Sequence, residues 1–299
     1  MQKRSLHPET RIGPVALAIS DLERSVIFYE QVLGFEIIDR QAQTARLGAG
    51  GTPLLLLQQQ QRARPRPPRT TGLYHFAILT PSRADLGRAL RQLLELGYPL
   101  QGAADHLVSE AIYLSDPDGN GIEIYRDRPR EQWRRQNDQV QMANAPLDVD
   151  GILAAAGQTE HRAAGLAPGT RIGHVHLQVG DLEQAEAFYC KVLGFEMMAR
   201  WPGAIFIAAG GYHHHLGLNI WETHGAPAPP ADAVGLRYYT ILLPNEEELA
   251  SARARLQAAG VAAHSAPGRL SLRDPWQNGM MLTIAGGEAG LTSAEAIGQ

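Results

Sequence analysis

Apolar residues recur along the chain in a fixed order: one alternating stretch, one stretch with helical spacing, then several short alternating stretches broken by Gly and Pro. "RIGPVALAIS" begins the first such block at Arg11 and predicts a strand. "DLERSVIFYEQVLG" follows, with its apolar residues on one helical face, an Asp at the start and Gly34 where a left-handed C-cap favours glycine. The same order returns 160 positions later as "RIGHVHLQVGDLEQAEAFYCKVLGFEMMAR" from Arg171, with roughly half of the aligned positions identical. A second pair is offset by 163: "GLYHFAILTPSRADL" from Gly72 and "GLRYYTILLPNEEEL" from Gly235. The segment ends correspond as well, "DPDGNGIEIY" from Asp116 with "DPWQNGMMLT" from Asp274. The pattern therefore predicts an α+β protein of four β-α-β-β-β units, at about 11–60, 72–127, 171–222 and 235–285. By sequence order it divides into a first two-unit domain, 1–135, a linker, 136–168, containing the short helical "LDVDGILAAAG", and a second two-unit domain, 169–290.

Composition narrows the classes of function. A net charge of -4 with 19% charged residues describes an ordinary surface and predicts neither a nucleic-acid partner nor a membrane partner. The one basic stretch, "QRARPRPPRT" (Gln61–Thr70), is laced with proline, lacks aromatics and reads as a solvated connector. No apolar run approaches the roughly 20 residues of a membrane span, and "MQKRSLHPET" has no apolar leader core, so the expected location is cytoplasmic. A single cysteine, Cys190, excludes an intrachain disulfide framework and reads as a packing residue on a helix.

"SDLERSVIFYEQVLGF" and "GDLEQAEAFYCKVLGF", each followed by a "DP…NG" turn, resemble the vicinal oxygen chelate superfamily. Within it, the arrangement is similar to two-domain extradiol ring-cleavage dioxygenases of the catechol 2,3-dioxygenase type, over nearly the whole chain. The resemblance implies cup-shaped half-barrels, each built from two units, with a divalent metal held on the inner strands. It also implies ligands on the first strand of a unit, seven residues before "DL", and on the last strand. Unit by unit this gives Pro14 and the donor-free "TPLLLLQ"; His75 and Glu123; His174 and a triple histidine; Tyr238 and Met281.

Pairing the units in sequence order would split the good ligands between two incomplete sites. Pairing unit 2 with unit 3, and unit 1 with unit 4, gathers His75, Glu123 and His174 into one cup and leaves the other without need of a metal. Two imidazoles and one carboxylate form the facial triad that suits iron(II) and keeps positions open for substrate and dioxygen. Manganese(II) fits the same donors, and the sequence leaves that choice open. "HLVSEAIYLSDPDGNGIE" (His106–Glu123) resembles the extradiol signature, departing from it at Ala104. By that resemblance Glu123 is a ligand, Tyr113 hydrogen-bonds a substrate oxygen and His106 stands near the substrate.

The stretch "AAGGYHHHLGLNIWE" (Ala208–Glu222) holds His213, His214 and His215. Read as one strand, alternation puts Tyr212, His214, Leu216 and Leu218 on the apolar face and turns His213 and His215 into the cup. His215, with His213 as second candidate, is then the expected acid/base at the metal, and His214 a structural residue. A rival reading makes His215 or His213 a fourth metal ligand. Trp221 and Tyr125 are expected walls of an aromatic pocket. The function so implied is iron(II)-dependent ring cleavage of a small aromatic diol with O2, as in aromatic hydrocarbon catabolism. The alternatives are a glyoxalase-like isomerase or thiol transferase, and a non-enzymatic small-molecule binder; a homo-oligomer is compatible with all three.

Overall fold

The computed structural model describes residues 5–137, 139–157 and 165–291. Residues 1–4 of the supposed leader-free N-terminus and 158–164 of the linker lie outside the described residues. Unit 1 runs β1 (Arg11–Ile19), α1 (Leu22–Ile27), β2 (Glu36–Arg40), β3 (Thr44–Ala49) and β4 (Thr52–Gln59). Unit 2 runs β5 (Gly72–Leu79), α2 (Arg83–Glu95), β6 (Gly102–Asp105), β7 (Ser109–Ser115) and β8 (Gly121–Asp127). After β8 come the two-residue strands β9 (Arg135–Gln136) and β10 (Gln139–Val140), then α3 (Val149–Ala155), which packs on α2. Unit 3 is β11 (Arg171–Gln178), α4 (Leu182–Glu186), β12 (Glu196–Trp201), β13 (Ala204–Ala208) and β14 (Leu216–Asn219). Unit 4 is β15 (Gly235–Leu243), α5 (Glu246–Ala258), β16 (Ala263–Ala266), β17 (Arg269–Arg273) and β18 (Gly279–Ile284).

Two eight-stranded sheets result, ordered β16-β17-β18-β15-β1-β4-β3-β2 and β12-β13-β14-β11-β5-β8-β7-β6. One sheet joins unit 4 to unit 1 through β15 and β1, and the other joins unit 3 to unit 2 through β11 and β5, both antiparallel. The sequence halves 1–135 and 169–290 therefore do not coincide with the sheets; each half gives one unit to each sheet. The first strand of each unit is mostly buried, because it lies at the centre of its sheet; Tyr74 on β5 and the half-buried start of β15 are among the exceptions.

The helices of units 1 and 3 start as the sequence implies, with the Asp21 and Asp181 side chains accepting from the backbone N–H of Arg24 and Gln184. They do not continue as plain α-helices. Each widens into a π turn, at Phe28–Val32 and Ala187–Leu193, before Gly34 and Gly194 end it with positive φ. Each π turn carries a fully buried tyrosine. Tyr29 donates its hydroxyl proton to Asp116 at 2.9 Å, and Tyr189 donates to Asp274 at 2.8 Å. Burial raises the pKa of both aspartates, and the repeated "DP…N" turns meet that cost with further donors. Asp116 accepts from Asp118 N–H, Asn120 N–H and the Asn120 amide; Asp274 accepts from Trp276 N–H, Asn278 N–H and the Asn278 amide. Because units 1 and 2 lie in different sheets, as do units 3 and 4, these two bonds clamp one sheet to the other.

In the second cup, Tyr238 and Met281 meet Ala16, Leu56 and Leu291 in a closed apolar cluster. The basic stretch is largely exposed, as its composition suggests, but it is anchored at two arginines. Arg66 donates to the Leu73 carbonyl and to Gln178, both at 2.6 Å, and Arg64 pairs with Asp232. A guanidinium finds buried carbonyl partners here because β5 and β11 end side by side. Cys190 is partly buried, and burial pushes its thiol pKa up to about 12, in keeping with a packing role. Among the described residues no helix is long and apolar enough to cross a membrane.

Removing either clamp hydroxyl leaves a buried carboxylate short of a donor. Tyr29→Phe and Tyr189→Phe should each cost about 1.5–3 kcal/mol of stability, read from the midpoint of urea unfolding.

Candidate metal centre

The geometry begins in the seam between β5 and β11. There His176 lies opposite His75 and His174 opposite Ala77. Ala77 in turn pairs with Glu123 on β8, and Glu123 with Tyr113 on β7. Directly opposed residues share a face, so Tyr113, Glu123, Ala77 and His174 form one row across four strands, with His75 and His176 in the next. The methyl group of Ala77 leaves the middle of that row open, and the three longer side chains converge over it. Glu123 Oε2 stands 3.0 Å from His75 Nε2 and 3.1 Å from His174 Nε2, and the two nitrogens are 3.3 Å apart.

Those three atoms, all on buried residues, are the one group of three or more metal-donor side chains found among the described residues. Donors bound about 2.1 Å from an octahedral ion stand about 3.0 Å from their neighbours, which is the edge length seen here. The donor set therefore fits one face of an octahedral cation. The charges are arranged for it as well. Burial alone would raise the Glu123 pKa, but His174 and His75 outweigh it and hold the carboxyl well below its usual range. Burial lowers His174 to about 4, which keeps its imidazole neutral and able to offer a lone pair. His174 Nδ1 is buried without a hydrogen-bond partner, a departure from the usual second anchor of a ligating histidine.

A cavity of about 430 Å³ opens beside this triad, lined by its His75 and Glu123. His106 and Tyr113 both line it. His106 Nδ1 lies 2.9 Å from the Ala143 carbonyl, which can only accept, so Nδ1 carries the proton. In a neutral imidazole its Nε2, 2.6 Å from the Tyr113 hydroxyl, is then the acceptor and Tyr113 the donor. Burial, followed by the nearby Glu123 charge, raises the Tyr113 pKa well above normal, so the phenol stays protonated.

The alternation expected for the triple histidine fails, because β14 starts only at Leu216 and residues 212–215 are irregular. His214, read from sequence as structural, is the member that lines the cavity; its ring lies 4.1 Å from that of His174. His215 faces away. Its Nδ1 accepts from Ala209 N–H at 3.1 Å, fastening the turn through Gly210 and Gly211, and its ring tilts onto Tyr212. Burial lowers its pKa to about 3. His213 is fully buried between the two, bonded to His214 and to Asp127.

Sequence reasoning passed over His176, although it stands two residues beyond His174 and so on the same face of the strand. It lines the cavity, 5.0 Å from the His75 ring. Asn219 Oδ1 accepts from Trp221 N–H, so the Asn219 amide N–H₂ group donates to His176 Nε2 at 3.0 Å. Gly217 makes room for this imidazole: a Cβ there would stand 2.8 Å from the ring. Of the two expected aromatic walls, Trp221 lines the cavity and Tyr125 does not. Tyr125 is buried behind His174, with ring centres 4.8 Å apart. Trp201, Phe206, Met142 and Tyr74 add to the apolar wall, and no lysine or arginine lines it.

The profile of the Glyoxalase/Bleomycin resistance protein/Dioxygenase superfamily matches residues 11–124 and 171–279. The chain is 46% identical over 276 residues to a catechol-2,3-dioxygenase of Bacillus subtilis, covering 91% of this chain and 96% of that protein. Among solved structures it is similar to a candidate dioxygenase from Bacillus subtilis, with TM-score 0.64 and 12% identity over 97% of this chain and 89% of that one. It is also similar to glyoxalase I from Zea mays, with TM-score 0.56 and 17% identity over 92% of each chain. At these identities the two structures speak for the fold alone.

The convergence of three donors predicts one divalent ion per chain. Titration with manganese(II), followed by calorimetry, should give one equivalent bound. Glu123→Gln and His174→Ala should each weaken binding beyond the roughly ten- to hundredfold typical of an outer-shell change. His215→Gln should leave the stoichiometry intact.

Proposed function

Because this chain belongs to the Glyoxalase/Bleomycin resistance protein/Dioxygenase superfamily, we propose that it is an iron(II)-dependent extradiol dioxygenase acting on an uncharged catechol. The observation that carries this reading is the triad of His75, His174 and Glu123 beside a cavity lined by Tyr113, His106, His176 and His214. The strong likeness to a catechol-2,3-dioxygenase over most of the chain supports it. A bound iron(II) would lower the pKa of the diol, hold diol and dioxygen side by side and pass electron density between them. Manganese(II) could occupy the same donors.

The remaining steps fall to the protein's own side chains. Tyr113, whose proton is held by His106 Nε2, offers its phenolic oxygen to a substrate hydroxyl. His214, the histidine of the trio that reaches the cavity, takes over the acid/base role that alternation assigned to His215 and His213. It receives a diol proton and returns one as the ring opens. The carbon–carbon bond beside the diol breaks, and both oxygen atoms of O2 enter the semialdehyde product. Trp201, Phe206 and Met142 shape an apolar wall with no cation, which suits alkyl- or aryl-substituted catechols over those bearing a carboxylate. A glyoxalase-like isomerase would need a fourth protein ligand, and the donor cluster among the described residues has three.

Anaerobic reconstitution with iron(II), followed by oxygen uptake, tests the reading. Catechol and its alkyl and aryl derivatives should consume one O2 per diol, at higher kcat/KM than 3,4-dihydroxyphenylacetate. A metal-replete sample that takes up no oxygen with any diol would reject it. Tyr113→Phe should lower kcat/KM at least about tenfold through the lost hydrogen bond, with iron retained.

A further inference from the structure

His213 is fully buried and does not line the cavity; its ring meets that of His174 edge-on, with centres 6.2 Å apart, and its two nitrogens lie between two polar groups that decide how its protons are arranged. Its Nε2 is 2.9 Å from Asp127 Oδ1, and its Nδ1 is 2.8 Å from His214 Nδ1. Asp127 follows Glu123 by two strand periods on the same face of β8, so one strand supplies both the metal-facing carboxylate and this one. A carboxylate oxygen facing a ring nitrogen at this distance accepts, so the geometry draws the His213 proton to Nε2, and a neutral His213 then offers Nδ1 as a lone pair. His214 Nδ1 then has to donate. The nitrogen left to His214, Nε2, is unprotonated, and this is the ring that lines the cavity.

The other donor to Asp127 agrees with this assignment. The Tyr212 hydroxyl lies 3.0 Å and 3.2 Å from the two carboxylate oxygens, and Tyr125 is 2.8 Å from the Tyr212 oxygen. Tyr212 spends its proton on Asp127, and Tyr125 donates to Tyr212, so the chain has one consistent direction of hydrogen bonds. Trp133, between β8 and β9, covers His213 with ring centres 5.2 Å apart and keeps that part of the chain from water.

We propose that Asp127 is a positioning residue: acting through His213, it holds His214 in the tautomer whose Nε2 is free to accept a proton from the substrate in the cavity. The catalytic part of this inference rests on the dioxygenase reading, and the tautomer part does not. If Asp127 could no longer demand a proton from His213, the His213 ring could reverse its tautomer. His214 would then present an N–H to the cavity and could not act as a base.

The full-length chain labelled with ¹⁵N-histidine tests the tautomer directly, metal-free and loaded with zinc. Wild type should show His214 with a protonated Nδ1 and a pyridine-type Nε2, and Asp127→Asn should move the proton or split the population. A wild-type spectrum with His214 protonated at Nε2 would overturn the proposal, whatever the protein does with oxygen. In the iron(II) enzyme, Asp127→Asn should lower kcat at least about tenfold while KM and bound iron stay within about twofold, and Asp127→Glu should restore part of the rate. An Asp127→Asn enzyme with wild-type kcat and iron content would equally overturn it. Should Asp127→Asn fail to fold, the wild-type spectrum decides alone. Should wild type itself take up no oxygen, the dioxygenase reading falls and the spectrum still decides the tautomer.

Discussion

The antiparallel seam between β5 and β11 is the constraint on which the site depends. Strand pairing is directional, so once these two strands meet in register, residues 99 positions apart in the chain are held within hydrogen-bond distance. Every other element of the centre is placed relative to that seam. β8 adds Glu123 from one side, β7 adds Tyr113 beyond it, and the segment before β14 closes the opposite side with His214. A one-residue slip of β11 would turn His174 and His176 to the far face of the sheet and leave His75 behind. The two bulges in this pairing, either side of His174–His176, mark where the register is adjusted.

A buried carboxylate between two buried imidazoles is not a comfortable arrangement for an empty protein. Two ring nitrogens at 3.3 Å cannot both point protons at each other, and both compete for the same carboxylate oxygen. Elsewhere the fold shows how it treats buried polar groups that need no guest. Asp116 and Asp274 are surrounded by matched donors and closed into turns. The contrast between a satisfied aspartate and a triad with an orphaned nitrogen separates scaffold from site on physical grounds.

Much of this was legible in the residues. The repeat gave the unit boundaries, because a strand–helix–strand pattern written four times is hard to mistake. The degenerate copies pointed to His75, His174 and Glu123: Pro14, Tyr238 and Met281 at the matching positions cannot form such a triad. The triple histidine was misread because alternation holds only where a strand is regular, and two positive-φ glycines and an irregular run precede Leu216. Hydrophobic periodicity does not reveal a π turn, since the apolar face stays the same while one extra residue enters the helix. His176 was hidden by attention to ligands, and Tyr125 misplaced because its aromatic character alone says nothing about which side of the metal donors it occupies.

The crossed pairing makes the two halves of the chain topologically inseparable. Each half on its own would expose the edges of its two first strands, β1 and β5 in one half and β11 and β15 in the other, with the partners supplied only by the other half. In effect the molecule is an intertwined dimer whose two subunits have been sewn into one polypeptide. Severing the stitch between α3 and β11 would leave two fragments whose shortest route back to a closed sheet is through each other.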